Sequence, residues 1–144
     1  MAIIDNSFTG SLSVDRDQNT FIGIELPFYK SYGSEGYFAS TKTTLEAVKN
    51  DIINLIQTQK TERILQPELG INLRSYLFEQ VRPDLEETIK GDILSTMSVW
   101  LPFVDVQNLI VDLSEGSERN TISVSMEFKV RNVDNMLGSV QINI

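Results

Sequence analysis

"KTERILQPELGINLRSYLFE", residues 60–79, separates two stretches of helical pattern and is far longer than a plain connection between them. Helix–helix connections usually take about 2–8 residues. This one holds Pro67, Gly70, two arginines (Arg63, Arg74) and three glutamates (Glu62, Glu68, Glu79) among spaced apolar residues. Pro67 fixes one backbone angle, and Gly70 permits a conformation that a side chain forbids, so the chain turns sharply between them. Arg63 and Arg74 flank the turn, each with a rigid fork of donors that can reach carbonyl oxygens or a glutamate. Leu65, Leu73, Leu77 and Phe78 are expected to pin the segment to the helices. A buried, paired Arg63 would make this connector the stability-critical element.

The flanks set the fold class. From Thr41 to Gln59, Leu45, Val48, Ile52, Leu55 and Ile56 recur at helical spacing, and Thr43 with Glu46 can form a capping box. A second helix begins near Pro83, with Asp84, Glu86 and Glu87 at the positive end of its dipole, and stops at Pro102. Its stripe is Leu85, Ile89, Ile93, Met97 and Trp100. Both stripes read as core faces. The C-terminal third alternates with period two. In "NTISVSMEFKVR" Ile122, Val124, Met126, Phe128 and Val130 point one way, and Thr121, Ser123, Ser125, Glu127, Lys129 and Arg131 the other. "VDVQNLIVDL" changes phase near Asn108, which predicts a β-bulge. "SVQINI" adds a last strand, with Val140, Ile142 and Ile144 on one face.

Residues 1–38 hold seven of the twelve aromatics, namely Phe8, Phe21, Phe28, Tyr29, Tyr32, Tyr37 and Phe38. Only "TFIGIELPF" alternates there, with Ile22, Ile24, Leu26 and Phe28 on one face. The expected architecture is α+β: two main helices packed on a small antiparallel three-stranded C-terminal sheet, with an extended N-terminal arm. The arm covers residues 1–38 and the domain residues 39–144.

Composition excludes much chemistry. Among 144 residues there is no cysteine and no histidine, which removes disulfides, thiolate nucleophiles and the commonest general base and metal ligand. A net charge of −8 argues against binding nucleic acid through its phosphates. No apolar run is long enough for a membrane span, and the N-terminus lacks the pattern of a signal peptide, so a soluble chain without cofactor or metal is expected. Asp15, Asp17 and Asn19 have the spacing of an EF-hand start, but Thr20 stands where glycine is needed and Leu26 where the bidentate glutamate belongs. Glu62, Glu68 and Glu79 could supply the acid and base of a glycosidase, though spacing cannot show the separation that chemistry needs. Twenty acidic residues make chance pairs inevitable.

"TERILQPELGINLRSYLFE" resembles the signature of the small baseplate wedge subunits of contractile phage tails, a family with type VI secretion counterparts and an older "lysozyme-like" label. Glu62 and Arg63, then Pro67, Glu68 and Gly70, then Leu73, then Leu77, Phe78 and Glu79 match it in order and spacing. The resemblance covers residues 41–144 and leaves out the aromatic arm. Thr61 stands where the family usually has glycine. Leu101, Pro102 and Phe103 stand where it often has Glu-Pro-Arg, so docking through Pro102 and Phe103 would be apolar.

The resemblance implies a non-enzymatic adaptor in the virion's tail baseplate, assembled in the host cytoplasm. Six copies, one per wedge, would join the wedge core to the first sheath ring and help initiate the sheath. Its implied partners are other wedge subunits, the tail sheath protein, and tail tube or hub proteins, with neither nucleic acid nor membrane. The rival is a cell-wall muramidase using Glu62, Glu68 and Glu79. For the last strand two placements stay open: insertion between two others, or a free edge. A free edge at Ser139, Val140, Gln141, Ile142, Asn143 and Ile144 could accept a sheath strand through main-chain bonds.

Overall fold

The structure, a computed structural model, describes residues 15, 20–33, 36–79, 82, 84–116, 119–131, 133 and 136–144. Its elements run β1 (Gly23–Ile24), β2 (Ser40–Thr41), α1 (Thr44–Gln57), α2 (Leu73–Tyr76), α3 (Leu85–Trp100), β3 (Val104–Gly116), β4 (Arg119–Val130) and β5 (Leu137–Asn143). The last three form an antiparallel sheet in the order β3-β4-β5, as the alternation predicts. Ile122, Val124, Met126, Phe128 and Val130 of β4 are all buried. Its register with β3 shifts between Val106 and Asn108, so the expected bulge falls at Gln107. The bulge keeps Val104 before it and Val111 after it in the core.

Both long helices lie on the apolar face of the sheet, α3 against β3 and α1 against β5. Val48, Ile52, Leu55 and Ile56 of α1 join Leu85, Ile89, Ile93 and Met97 of α3 in one core. Leu45 and Trp100 pack at its margin. At Gly138 the side chains of Leu45 and Phe128 leave no room for a Cβ. A Cβ there would sit 2.6 Å from Phe128 Cζ and 2.9 Å from Leu45 Cδ1.

At the N-terminus of α1, Thr43 Oγ1 accepts from Glu46 N at 3.3 Å, while Glu46 accepts from Lys42 N rather than from Thr43. A second cap comes from far upstream. Asp15 Oδ1 accepts from both Thr44 N and Thr44 Oγ1 at 2.8 Å. The first member of the calcium-spaced trio thus serves a helix terminus; Asp17 and Asn19 lie outside the described residues, as does Pro83.

Residues 22–31 fold back against residues 37–41 as a ribbon in which β1 pairs with β2. Glu25 N donates to Ala39 O, Ala39 N to Tyr29 O, and Ser31 N to Tyr37 O. The short strand expected in "TFIGIELPF" is present, but the ribbon is a single layer. Ile24 and Phe28, Tyr29, Tyr32, Tyr37 and Phe38 therefore stay largely exposed. No helix among the described residues is long and apolar enough to cross a membrane.

Candidate functional site: the connector and the sheet edge

The connector is tied down from its backbone outward. α1 ends at the buried Thr58, whose carbonyl accepts from Ile71 N at 2.8 Å. That bond closes the connector as a loop on the end of α1. Gly70 makes it possible: its φ is +110°, and a Cβ would meet Thr58 O at 2.2 Å. Inside the loop, Thr61 N donates to Pro67 O at 2.7 Å, Gln66 N to Arg63 O, and Leu69 N to Gln66 O. Glu62 folds back to accept from Gln59 N at 3.0 Å. Thr61 itself has a φ of 72°, a left-handed conformation costly for a β-branched residue. The loop thus holds Thr61 in a conformation that glycine adopts more readily.

Beyond Gly70 the connector sinks into the core. Ile71 and Leu73 are buried, and Leu77 packs partly against the same cluster. Tyr76, on the short α2, donates its hydroxyl to Asp92 Oδ2 of α3 at 2.5 Å. Partial burial, that bond and the nearby Asp92 and Glu79 carboxylates push the Tyr76 phenol up to about 12. Tyr76, Glu79 and Asp92 line one hollow of about 150 Å³.

Several expectations need correction. Arg63 is exposed, and its one described partner is neutral, Asn54 Oδ1 at 3.1 Å. A loop closed by backbone bonds needs no buried guanidinium. Leu65 and Phe78 do not pin the connector: they are 94% and 90% exposed, and Ile64 beside Leu65 is 95% exposed. Ile64 and Leu65 are the central residues of the turn closed by Gln66 N on Arg63 O, and Phe78 lies in the turn closed by Glu79 N on Tyr76 O. Glu62, Pro67, Glu68 and Glu79 are also exposed. The outward set Ile64, Leu65 and Phe78 was invisible to sequence reasoning, because apolar residues at mixed spacing look alike whether pinned or free. Pro102 and Phe103 stand exposed at the turn into β3, where Phe103 O accepts from Arg131 N at 2.8 Å.

Among the described residues β5 is the last strand of the sheet and pairs with β4 alone, so it is not inserted between two described strands. Ile122 and Ile144 exchange both backbone bonds, at 2.9 and 3.0 Å. The register then makes Val124–Ile142, Met126–Val140 and Phe128–Gly138 the bonded pairs. The peptide groups of Ser139, Gln141 and Asn143 consequently face away from β4. Val140 and Ile142 are buried in the core, Ser139, Gln141 and Asn143 exposed, and Ile144 half-buried. Val140 N–H belongs to the β4 side, so proline at Val140 would damage the sheet itself, whereas proline at Gln141 removes only an edge donor. On the outer face the register aligns Asn108, Glu127 and Ser139 in one row and Ile110, Ser125 and Gln141 in the next. A groove of about 310 Å³ follows these rows to Lys49 and Ile53 of α1.

This helix–connector–helix–sheet order agrees with the comparison to known proteins. Residues 42–135 match the family described as baseplate wedge protein gp25. The chain belongs to that family. It is 31% identical over 91 residues to baseplate wedge protein gp25 of Enterobacteria phage T4, a match covering 63% of this chain and 66% of the T4 protein. The fold resembles a Geobacter sulfurreducens protein provisionally described as a tail lysozyme, with a TM-score of 0.60 at 17% identity, covering 69% of this chain and 87% of that one. It also resembles a chain of the anti-feeding prophage baseplate, with a TM-score of 0.63 at 19% identity, covering 78% and 86%. The gp25 family match spans the connector, both long helices, β3 and β4; residues 1–41 and 136–144, with β5 among them, lie outside it.

Proposed function

We propose that this gp25-family chain is a structural wedge subunit of a contractile-tail baseplate, and that β5 offers the first sheath ring an edge for strand addition. The observation that carries the proposal is the row of outward-facing peptide groups at Ser139, Gln141 and Asn143. Soluble proteins usually blunt such an edge with charge, proline or a covering segment; β5 carries neither charge nor proline, and among the described residues no further strand pairs with it. Other wedge subunits would dock on the exposed apolar residues of the connector, Ile64, Leu65 and Phe78, and on Pro102 and Phe103. Residues 1–38 serve in this reading as an arm whose exposed Phe28, Tyr29, Tyr32, Tyr37 and Phe38 find their cover in the baseplate. Six copies per assembly follow from baseplate symmetry, with tube or hub proteins as further neighbours.

Catalysis is not part of the proposal. A glycosidase needs two carboxylates facing across a cleft. Glu62 and Glu68 lie on the exposed loop, and Glu62 already accepts from Gln59 N. Glu79 shares its hollow with Asp92, but about 150 Å³ is well below the roughly 300 Å³ at which ligand pockets begin.

The test is assembly in a tail reconstituted with this chain. Gln141→Pro should leave wedges intact and stop sheath growth, whereas deletion of 139–144 also removes the buried Val140 and Ile142 and should unfold the sheet. Sheath that still polymerises on Gln141→Pro baseplates would place the handover elsewhere. In parallel, the purified protein should release no muropeptides from cell walls; release abolished by Glu79→Gln would favour the muramidase.

A further inference from the structure

The groove beside β5 has two unlike walls. Its far wall is Lys49 and Ile53. Each follows a buried core residue, Val48 or Ile52, by one position, a rotation of about 100° that turns it from the core to the flank of α1. Its near wall is the outer face of the sheet, where Glu127 stands beside Ser139. Among the described residues Lys49 forms no ion pair. In a chain of net charge −8, Lys49 sets a positive charge beside the outward-facing peptide groups of β5.

A strand laid on β5 presents alternate side chains to the two walls. Lys49 and Ile53 are one helical turn apart, about 6 Å along α1. Residues i and i+2 of a strand are separated by about 6.8 Å. The spacings match, so one face of an added strand that runs alongside α1 reaches both.

Resting on the strand-addition reading, we propose that the β5 edge selects an extended acidic-apolar segment, with a carboxylate at Lys49 and an apolar side chain two positions away at Ile53. The residue between them falls on the Glu127 side and is neutral or basic. Main-chain bonds supply attachment, and the Lys49 contact supplies choice of partner and register.

The test uses the full-length protein and three synthetic eight-residue peptides of alternating valine and threonine. One carries a single central glutamate, one a glutamine and one a lysine. Titrations followed by backbone amide shifts should show the glutamate peptide binding about two- to fivefold more tightly than the glutamine peptide, with lysine weakest. Lys49→Glu should invert that order, and salt should compress it. Gln141→Pro should weaken all three alike. Equal affinities that still vanish in Gln141→Pro would overturn carboxylate selection and leave the open edge standing. Absence of binding by all three, or binding indifferent to Gln141→Pro, would overturn the edge reading as well.

Discussion

The two halves of the connector obey different rules. Residues 59–68 are a hydrogen-bonded loop whose large side chains face water, Ile64 and Leu65 above all. Residues 69–77 hold the glycine that touches Thr58, two side chains sunk in the core, and the tyrosine that reaches α3. The same motif thus contains an anchor and a display. In the anchor, side chains are fixed by what surrounds them. In the display, backbone bonds hold the shape and free the side chains for another molecule. A motif of this kind need not be uniformly structural or uniformly functional.

That contrast can be broken most directly at Gly70. Gly70→Ala places a methyl group 2.2 Å from a carbonyl oxygen in a left-handed conformation. Steric overlap and backbone strain together should cost about 2–5 kcal/mol, read as a fall in the urea midpoint. A variant with an unchanged midpoint would show that the loop closes without the Thr58–Ile71 bond. Next in size is a paired comparison. Leu73→Ala should cost about 3 kcal/mol, since Leu73 is 1% exposed, and Leu65→Ala should stay within about 0.5 kcal/mol. Equal losses would erase the distinction between anchor and display.

Thr61→Gly should act in the opposite direction. It relieves a β-branched residue held at a φ of 72°, and the gain, after glycine's greater unfolded-state freedom, should be about 0.5–1 kcal/mol. A raised thermal midpoint checks it, and a lowered one would mean that the threonine side chain makes a compensating contact. The smallest effect is visible only at high pH. Tyr76 has its folded value raised from 10.0 to about 12, so its contribution is complete below pH 10 and is lost as pH rises toward 12. Urea midpoints of wild type and Tyr76→Phe should therefore converge across that window. If the gap between them holds constant from pH 9 to 12, the Asp92 bond does not couple the connector to α3.

The legible parts of the molecule were those in which one periodicity meets one buried face. Ile122, Val124, Met126, Phe128 and Val130 alternate because β4 is the central strand with helices on one side only. The phase change at Asn108 betrays the bulge because a slip would otherwise turn Val111 out of the core. The connector has no period. Leu73 and Phe78 are alike in type and in motif, yet one is buried and the other exposed, and only the packing of α2 separates them. Asp15 capping α1 was equally hidden, because a partner 29 positions away leaves no local pattern.

What the amino-acid sequence determined alone was local and repetitive: two amphipathic helices, three strands, a bulge, a tight loop with glycine at Gly70, and the motif that marks the gp25 family. Each follows from side-chain spacing or from a backbone angle that few residues tolerate. Tertiary structure decided what those elements leave uncovered. It set β5 at the end of the sheet with the peptide groups of Ser139, Gln141 and Asn143 pointing outward, brought Lys49 alongside them, and turned Ile64, Leu65 and Phe78 to solvent. An edge, a groove and an exposed patch are relations between distant segments, and they exist only once the chain has packed.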